Sequence, residues 1–164
     1  MTTRNWLAGA AVALALAACA TGPRLSDAQK LDLYRAHAGA PVKDFHYFND
    51  LNGWTDLGDS ALAVWTRPSE AYLLELWGPC LDLQFTPAIG LTSQVGTVSA
   101  NFDEVRVLRQ PGTGPAVPCR IKEIRPLDVK GLRASERELR QVQQQERTQQ
   151  APGAQTPPSG SNPG

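Results

Sequence analysis

The sequence predicts an α+β fold: an N-terminal helix packed on a mainly antiparallel β-sheet or small open barrel, with one disulfide. Three observations lead there. A capped amphipathic stretch opens the folded region, many short apolar runs follow it, and two cysteines fall among those runs. Short strands punctuated by Gly, Pro, Asn and Asp behind a single helix suit a sheet that curls on itself. An all-β sandwich is the alternative architecture.

The helix begins after Ser26. Ser26-Asp27-Ala28-Gln29 fits a capping box, in which the Ser and Gln side chains satisfy each other's backbone N–H groups. Asp27 complements the positive helix end. Leu31, Tyr34 and Ala38 form one apolar stripe. Gly39 suits the C-cap, and Pro41 forbids continuation.

From residue 42 the period shortens. Residues 42–48 are aromatic-rich and extended, and Asn49-Asp50 and Asn52-Gly53 signal turns. Residues 61–66 and 71–77 read as strands joined by the Arg67-Pro68-Ser69-Glu70 hairpin loop. Leu81, Leu83 and Phe85 alternate with Asp82, Gln84 and Thr86, the cleanest half-buried strand pattern in the chain. Residues 89–93 and 95–99 are weaker strands around Gly90 and Gly96, and 102–108 is another. After a Pro/Gly loop at 110–118, residues 119–124 close the set and Pro126 stops it.

Residues 131–150 read as a helix with a thin apolar stripe of Leu132, Leu139 and Val142. Lys130, Arg133, Arg137, Arg140 and Arg147 share another face. That face reads as solvated, with contact to anionic lipid or cell-wall polymer as the functional alternative.

The N-terminus has the parts of a secretory signal. Arg4 precedes an uncharged run from Trp6 to Leu16. The run falls short of the roughly 20 residues a membrane span needs, and fits a signal core of about 7–15. Leu16-Ala17-Ala18-Cys19 then resembles the lipobox of bacterial lipoproteins. The resemblance implies that Cys19 becomes the mature N-terminus and carries several acyl chains, palmitate among them, for stable membrane anchoring. Ala20 and Thr21, where Asp would favour inner-membrane retention, imply outer-membrane sorting with the domain facing the periplasm. The expected organisation is a signal peptide at 1–18, a lipidated tether at 19–24 and a globular domain at 25–128. A polar, helical extension at 129–150 and a disordered Pro/Gly-rich tail at 151–164 complete it.

With Cys19 taken by lipid, Cys80 and Cys119 remain as a pair in an oxidising compartment. They are expected to form a disulfide; free buried thiols are the alternative. Lys+Arg and Asp+Glu balance at 16 each, which argues against a nucleic-acid partner.

Catalytic signals are sparse. His37 suits a helix C-terminus, and His46 stands between Phe45 and Tyr47 with no metal-binding spacing. No G-x-S-x-G, P-loop or H-E-x-x-H occurs. No catalytic residue, metal or cofactor is therefore expected. Asp56, Asp59, Asp82 and Asp103 could supply a carboxylate pair only by converging in space. The aromatic set Tyr47, Trp54, Trp65, Tyr72, Trp77 and Phe85 is mostly core by its strand positions. Trp54, in a turn region, is the member expected to be exposed, and with His46 and Tyr47 it forms the candidate ligand surface.

Several segments taken together resemble a known family. They are Cys19, Tyr34-Arg35-Ala36-His37-Ala38-Gly39 before Pro41, Gly53-Trp54, Trp65-Thr66-Arg67-Pro68 and Tyr72-Leu73-Leu74. Cys80-Leu81-Asp82-Leu83, Cys119-Arg120-Ile121 and Ile124-Arg125-Pro126 complete them. The pattern is similar to small proteobacterial lipoproteins known only as a domain of unknown function, over about residues 25–128. The resemblance implies a paired Cys80 and Cys119 and a periplasmic domain, and it brings no substrate, cofactor or catalytic residue. The expected role is binding or structural, toward another envelope protein or cell-wall polymer, with an envelope hydrolase as the alternative.

Overall fold

The structure is a computed structural model that describes residues 24–48, 50–108 and 114–150. The signal segment, Cys19 and the tail at 151–164 lie outside the described residues. The elements are α1 (Asp27–Ala36), β1 (Asp44–His46), β2 (Gly53–Asp56), β3 (Ala61–Arg67) and β4 (Glu70–Leu76). A 3-10 turn (Leu83–Phe85), β5 (Ala88–Leu91), β6 (Thr97–Ser99), β7 (Glu104–Leu108), β8 (Val117–Pro126) and α2 (Val129–Gln150) follow.

Six strands form one antiparallel sheet in the order β2-β3-β4-β8-β7-β5, curled into a half-barrel. β1 and β6 pair separately as a short ribbon. This is the α+β class, with helix, curled sheet and disulfide as expected.

Strand alternation sends side chains to two cores. Leu62 and Val64 of β3 and Leu74 and Leu76 of β4 point inward, with Phe45, Leu83, Val98, Val105, Val107, Ile121 and Ile124. Ala61, Ala63, Ala71 and Leu73 point outward, against Tyr34 of α1 and Val129 and Leu132 of α2. A bulge adjusts the parity of β8. Glu75 pairs with Glu123 but Leu76 pairs with Ile121, so β8 takes an extra residue at Lys122. Ile121 and Ile124, three apart, therefore both face the inner core.

Ser26 caps α1 with the expected reciprocal bonds, Gln29 N to Ser26 Oγ at 3.3 Å and Ser26 N to Gln29 Oε1 at 2.9 Å. His37 ends the helix and ties it to α2, its Nε2 lying 3.0 Å from Ser135 Oγ. Tyr34 Oη donates to Glu136 at 3.2 Å. Asp128 caps α2, its Oδ1 accepting from Gly131 N at 3.1 Å.

Cys80 and Cys119 are bonded, with Cα atoms 5.6 Å apart. The bond joins the segment leaving β4 to β8, its neighbour in the sheet, where Trp77 N also donates to Arg120 O at 3.1 Å.

The alternating segment at 81–86 is not a strand. Gly78 and Pro79 end β4, Cys80 is pinned by its disulfide, and Asp82 takes a left-handed φ of 65°. A tight turn follows, with Leu83 N donating to Cys80 O at 3.2 Å. Leu83 alone is buried, while Leu81 and Phe85 are 67% and 84% exposed. Conversely, β2 forms where turn signals dominate the sequence. The strands expected at 89–93 and 95–99 are realised as β5 and β6, with fully exposed Val95 at the turn apex between them.

Candidate functional site

A half-barrel leaves two sheet edges, here β2 and β5. Both line one cleft of about 420 Å³, with Gly53 and Trp54 on one side and Ala88 to Leu91 on the other. Tyr47 and Leu51 lie between them and form its floor, packed against the inner core. The cleft is the seam at which the barrel fails to close.

The register shows which backbone groups face the seam. Leu57 N donates to Ala61 O at 3.1 Å, so the β2 residues that bond to β3 are Leu57, Thr55 and Gly53. The N–H and C=O groups of Trp54 and Asp56 point the other way. On β5, Thr92 N donates to Glu104 O at 2.9 Å, so Gly90 and Ala88 bond to β7 while Ile89 and Leu91 turn outward. Tyr47 Oη reaches one of these outward groups, Leu91 O, at 3.4 Å.

Tyr47 is placed by its neighbours on both sides. Its N–H donates to Gly96 O at 2.9 Å, where Gly96 has φ of 75° and an added Cβ would lie 3.0 Å from Tyr47 O. Phe45, buried beneath the ribbon, stacks on Tyr72 with ring centres 4.5 Å apart and lies 6.3 Å from the Tyr47 ring. An aromatic row thus runs from the core to the seam. Burial, reinforced by the hydrogen bond to Glu70, pushes the Tyr72 phenol up to about 12.

Tyr47 and Trp54, expected as ligand-surface residues, therefore line one cleft. Trp54 is half-buried on a strand, not displayed on a turn. His46 is exposed on β1, with Nδ1 3.0 Å from Thr97 Oγ1, and is not among the lining residues. Sequence reasoning missed the β5 side of the seam altogether.

The four carboxylates go elsewhere. Asp56 ends β2 near Lys30, at 3.8 Å, and Asp59 sits in the following turn, its carbonyl accepting from Cys80 N. Asp82 occupies the left-handed position after Cys80. Asp103, 6% exposed, accepts from Thr92 Oγ1 at 2.7 Å and Ser99 N at 2.8 Å, which fixes the turn between β6 and β7. None of the four lines the seam. Among the described residues, no three His, Cys, Asp or Glu side chains could hold a metal ion. Nor is any helix among them long and apolar enough to cross a membrane.

The basic residues of α2 are partly engaged. Arg133 Nη2 donates to Pro68 O at 2.6 Å, and Arg140 lies 4.0 Å from Glu136.

A family model, DUF6491, described as a family of unknown function, matches residues 2–143. The chain belongs to DUF6491. The match takes in every strand and α2 as far as residue 143, so both covers of the sheet's outer face lie within the DUF6491 unit. No curated protein and no solved structure matches the chain.

Proposed function

We propose that this DUF6491 protein is a lipid-anchored envelope protein whose periplasmic domain binds an extended segment of another envelope protein at the half-barrel seam. The observation that carries the binding role is the seam itself. Two sheet edges turn backbone donors and acceptors toward one aromatic-floored cleft, the arrangement by which an added strand is recognised. Leu16-Ala17-Ala18-Cys19 supports the anchor, with lipid on Cys19 and sorting to the outer membrane. The Cys80–Cys119 disulfide suits an oxidising compartment.

The hydrolase reading has less support. Asp103 is consumed by structural hydrogen bonds, and Asp56 and Asp59 belong to the β2–β3 turn region.

Two experiments test the proposal. Cys19→Ala is expected to move the protein from the membrane fraction to the soluble fraction; continued lipid labelling of that variant would refute the anchor. Trp54→Ala is expected to abolish co-purification of the envelope partner from gently crosslinked cells while leaving membrane attachment intact. Turnover of a peptidoglycan, lipid or peptide substrate that a single carboxylate or His46 substitution abolishes would contradict the binding role.

A further inference from the structure

A second cleft, of about 510 Å³, lies at the other end of the β1–β6 ribbon. Its walls are Lys43 before β1 and Asp44 at its start, Ser99 at the end of β6 and Asn101 after it, and Lys122 and Glu123 from the bulge of β8. Two large aromatics stand at this cleft, largely in water. Phe102 lines it and is 82% exposed; Trp77, 62% exposed, stands just outside the lining, against two of its residues, Asn101 and Lys122.

The Trp77 ring is held in place, and the backbone that carries Phe102 is fixed. Trp77 Nε1 donates to Asn101 Oδ1 at 3.2 Å, and the Lys122 ammonium sits 5.8 Å from the ring centre. Cys80, three residues on, is locked to β8 by the disulfide. Phe102 rides on the turn that Asp103 fixes, next to Asn101 with φ of 67°. Ordering entropy has thus already been spent on the Trp77 ring and on the Phe102 backbone, which is how a preformed binding surface gains affinity.

The wall chemistry selects the ligand. Two cations, Lys43 and Lys122, and two anions, Asp44 and Glu123, line the cleft, and Glu123 also accepts from Arg125 Nε, so neither sign of charge is left in large excess. A strongly anionic ligand would meet the carboxylates, and a strongly cationic one the ammonium groups. An apolar ligand would strip water from donors and acceptors without replacing it. A neutral polyhydroxylated chain satisfies all of them: sugar C–H faces lie on the rings, and hydroxyl and acetamido groups bond to Asn101, Ser99 and the charged side chains.

We propose that the cleft rimmed by Trp77 and Phe102 binds a neutral amino-sugar glycan of the cell wall. The envelope reading supplies only the compartment in which such a glycan is met. The experiment is calorimetric titration of the full-length protein in detergent micelles with the β-1,4-linked N-acetylglucosamine tetramer. Saturable binding is expected, weakened about tenfold or more by Trp77→Ala and by Phe102→Ala and unchanged by Trp54→Ala. Circular dichroism of each variant checks folding, which the exposed positions Trp77 and Phe102 should preserve. No saturable binding in the millimolar range, or binding indifferent to both substitutions, would overturn the proposal. Neither result bears on Cys19, whose role is read from fractionation.

Discussion

The two faces of the one sheet are finished in different ways. The inner face carries large side chains, among them Leu62, Leu74, Val105 and Ile121, and is closed by the β1–β6 ribbon, by Leu83 and by the disulfide. Neither α1 nor α2 takes part. The outer face carries the small side chains of Ala61, Ala63 and Ala71, covered by α1 and α2. Those helices share an apolar cluster and are also joined by polar links, Tyr34 to Glu136 and His37 to Ser135. The inner face is the rigid frame that holds the seam and the Trp77 cleft in shape, and the outer layer is its cover.

That contrast sets an order of expected effects. Replacing Cys80 and Cys119 together with Ser should cost most. The bond closes a loop spanning 39 residues, worth about 4 kcal/mol by the chain-entropy model, and chemical denaturation would measure it. Next come paired truncations. Leu74→Ala should cost about 3 kcal/mol and Leu132→Ala about 2 kcal/mol, because the helix can settle onto a small cavity and the strand cannot. Equal losses would erase the distinction between frame and cover.

Tyr34→Phe should cost about 1 kcal/mol at neutral pH by removing the bond to Glu136. Its pH dependence is more telling. Burial, with Glu136 adding to it, pushes the Tyr34 phenol from 10.0 up to about 12. A raised phenol favours the protonated folded state, so this stability is fully present below pH 10 and is lost as pH rises toward 12. Denaturant midpoints should fall over that window and fall less in Tyr34→Phe. Tyr72 shifts in the same direction and leaves a residual slope. Smallest of all, Trp77→Ala should change stability by no more than about 0.5 kcal/mol, since the ring lies mostly in water. A larger loss would make Trp77 a structural residue.

Local signals carried much of the fold. The capping box at Ser26, the hairpin around Pro68 and the cysteine pair each act through near neighbours or simple pairing, and each is found where the sequence places it. The failures have long-range causes. Leu81, Leu83 and Phe85 alternate perfectly, yet Cys80 is tied to β8 and Asp82 turns left-handed, so only Leu83 can go inward. β2 has four residues and a Gly at its start, too little pattern to outweigh Asn52-Gly53. With β2 unseen, the meeting of its edge with β5 could not be foreseen. Tyr47 and Trp54 stood out as aromatics, but the cleft between them depends on how the sheet curls.

The seam as a binding face is the central claim, and site-specific photo-crosslinking in cells tests it most directly. A photoreactive residue at Ala88, exposed on the β5 side of the seam, should give one discrete adduct with an envelope protein, and Trp54→Ala should abolish it. The same probe at exposed Glu138 on α2 should give none. Equal adducts at both positions, or none at Ala88, would contradict it.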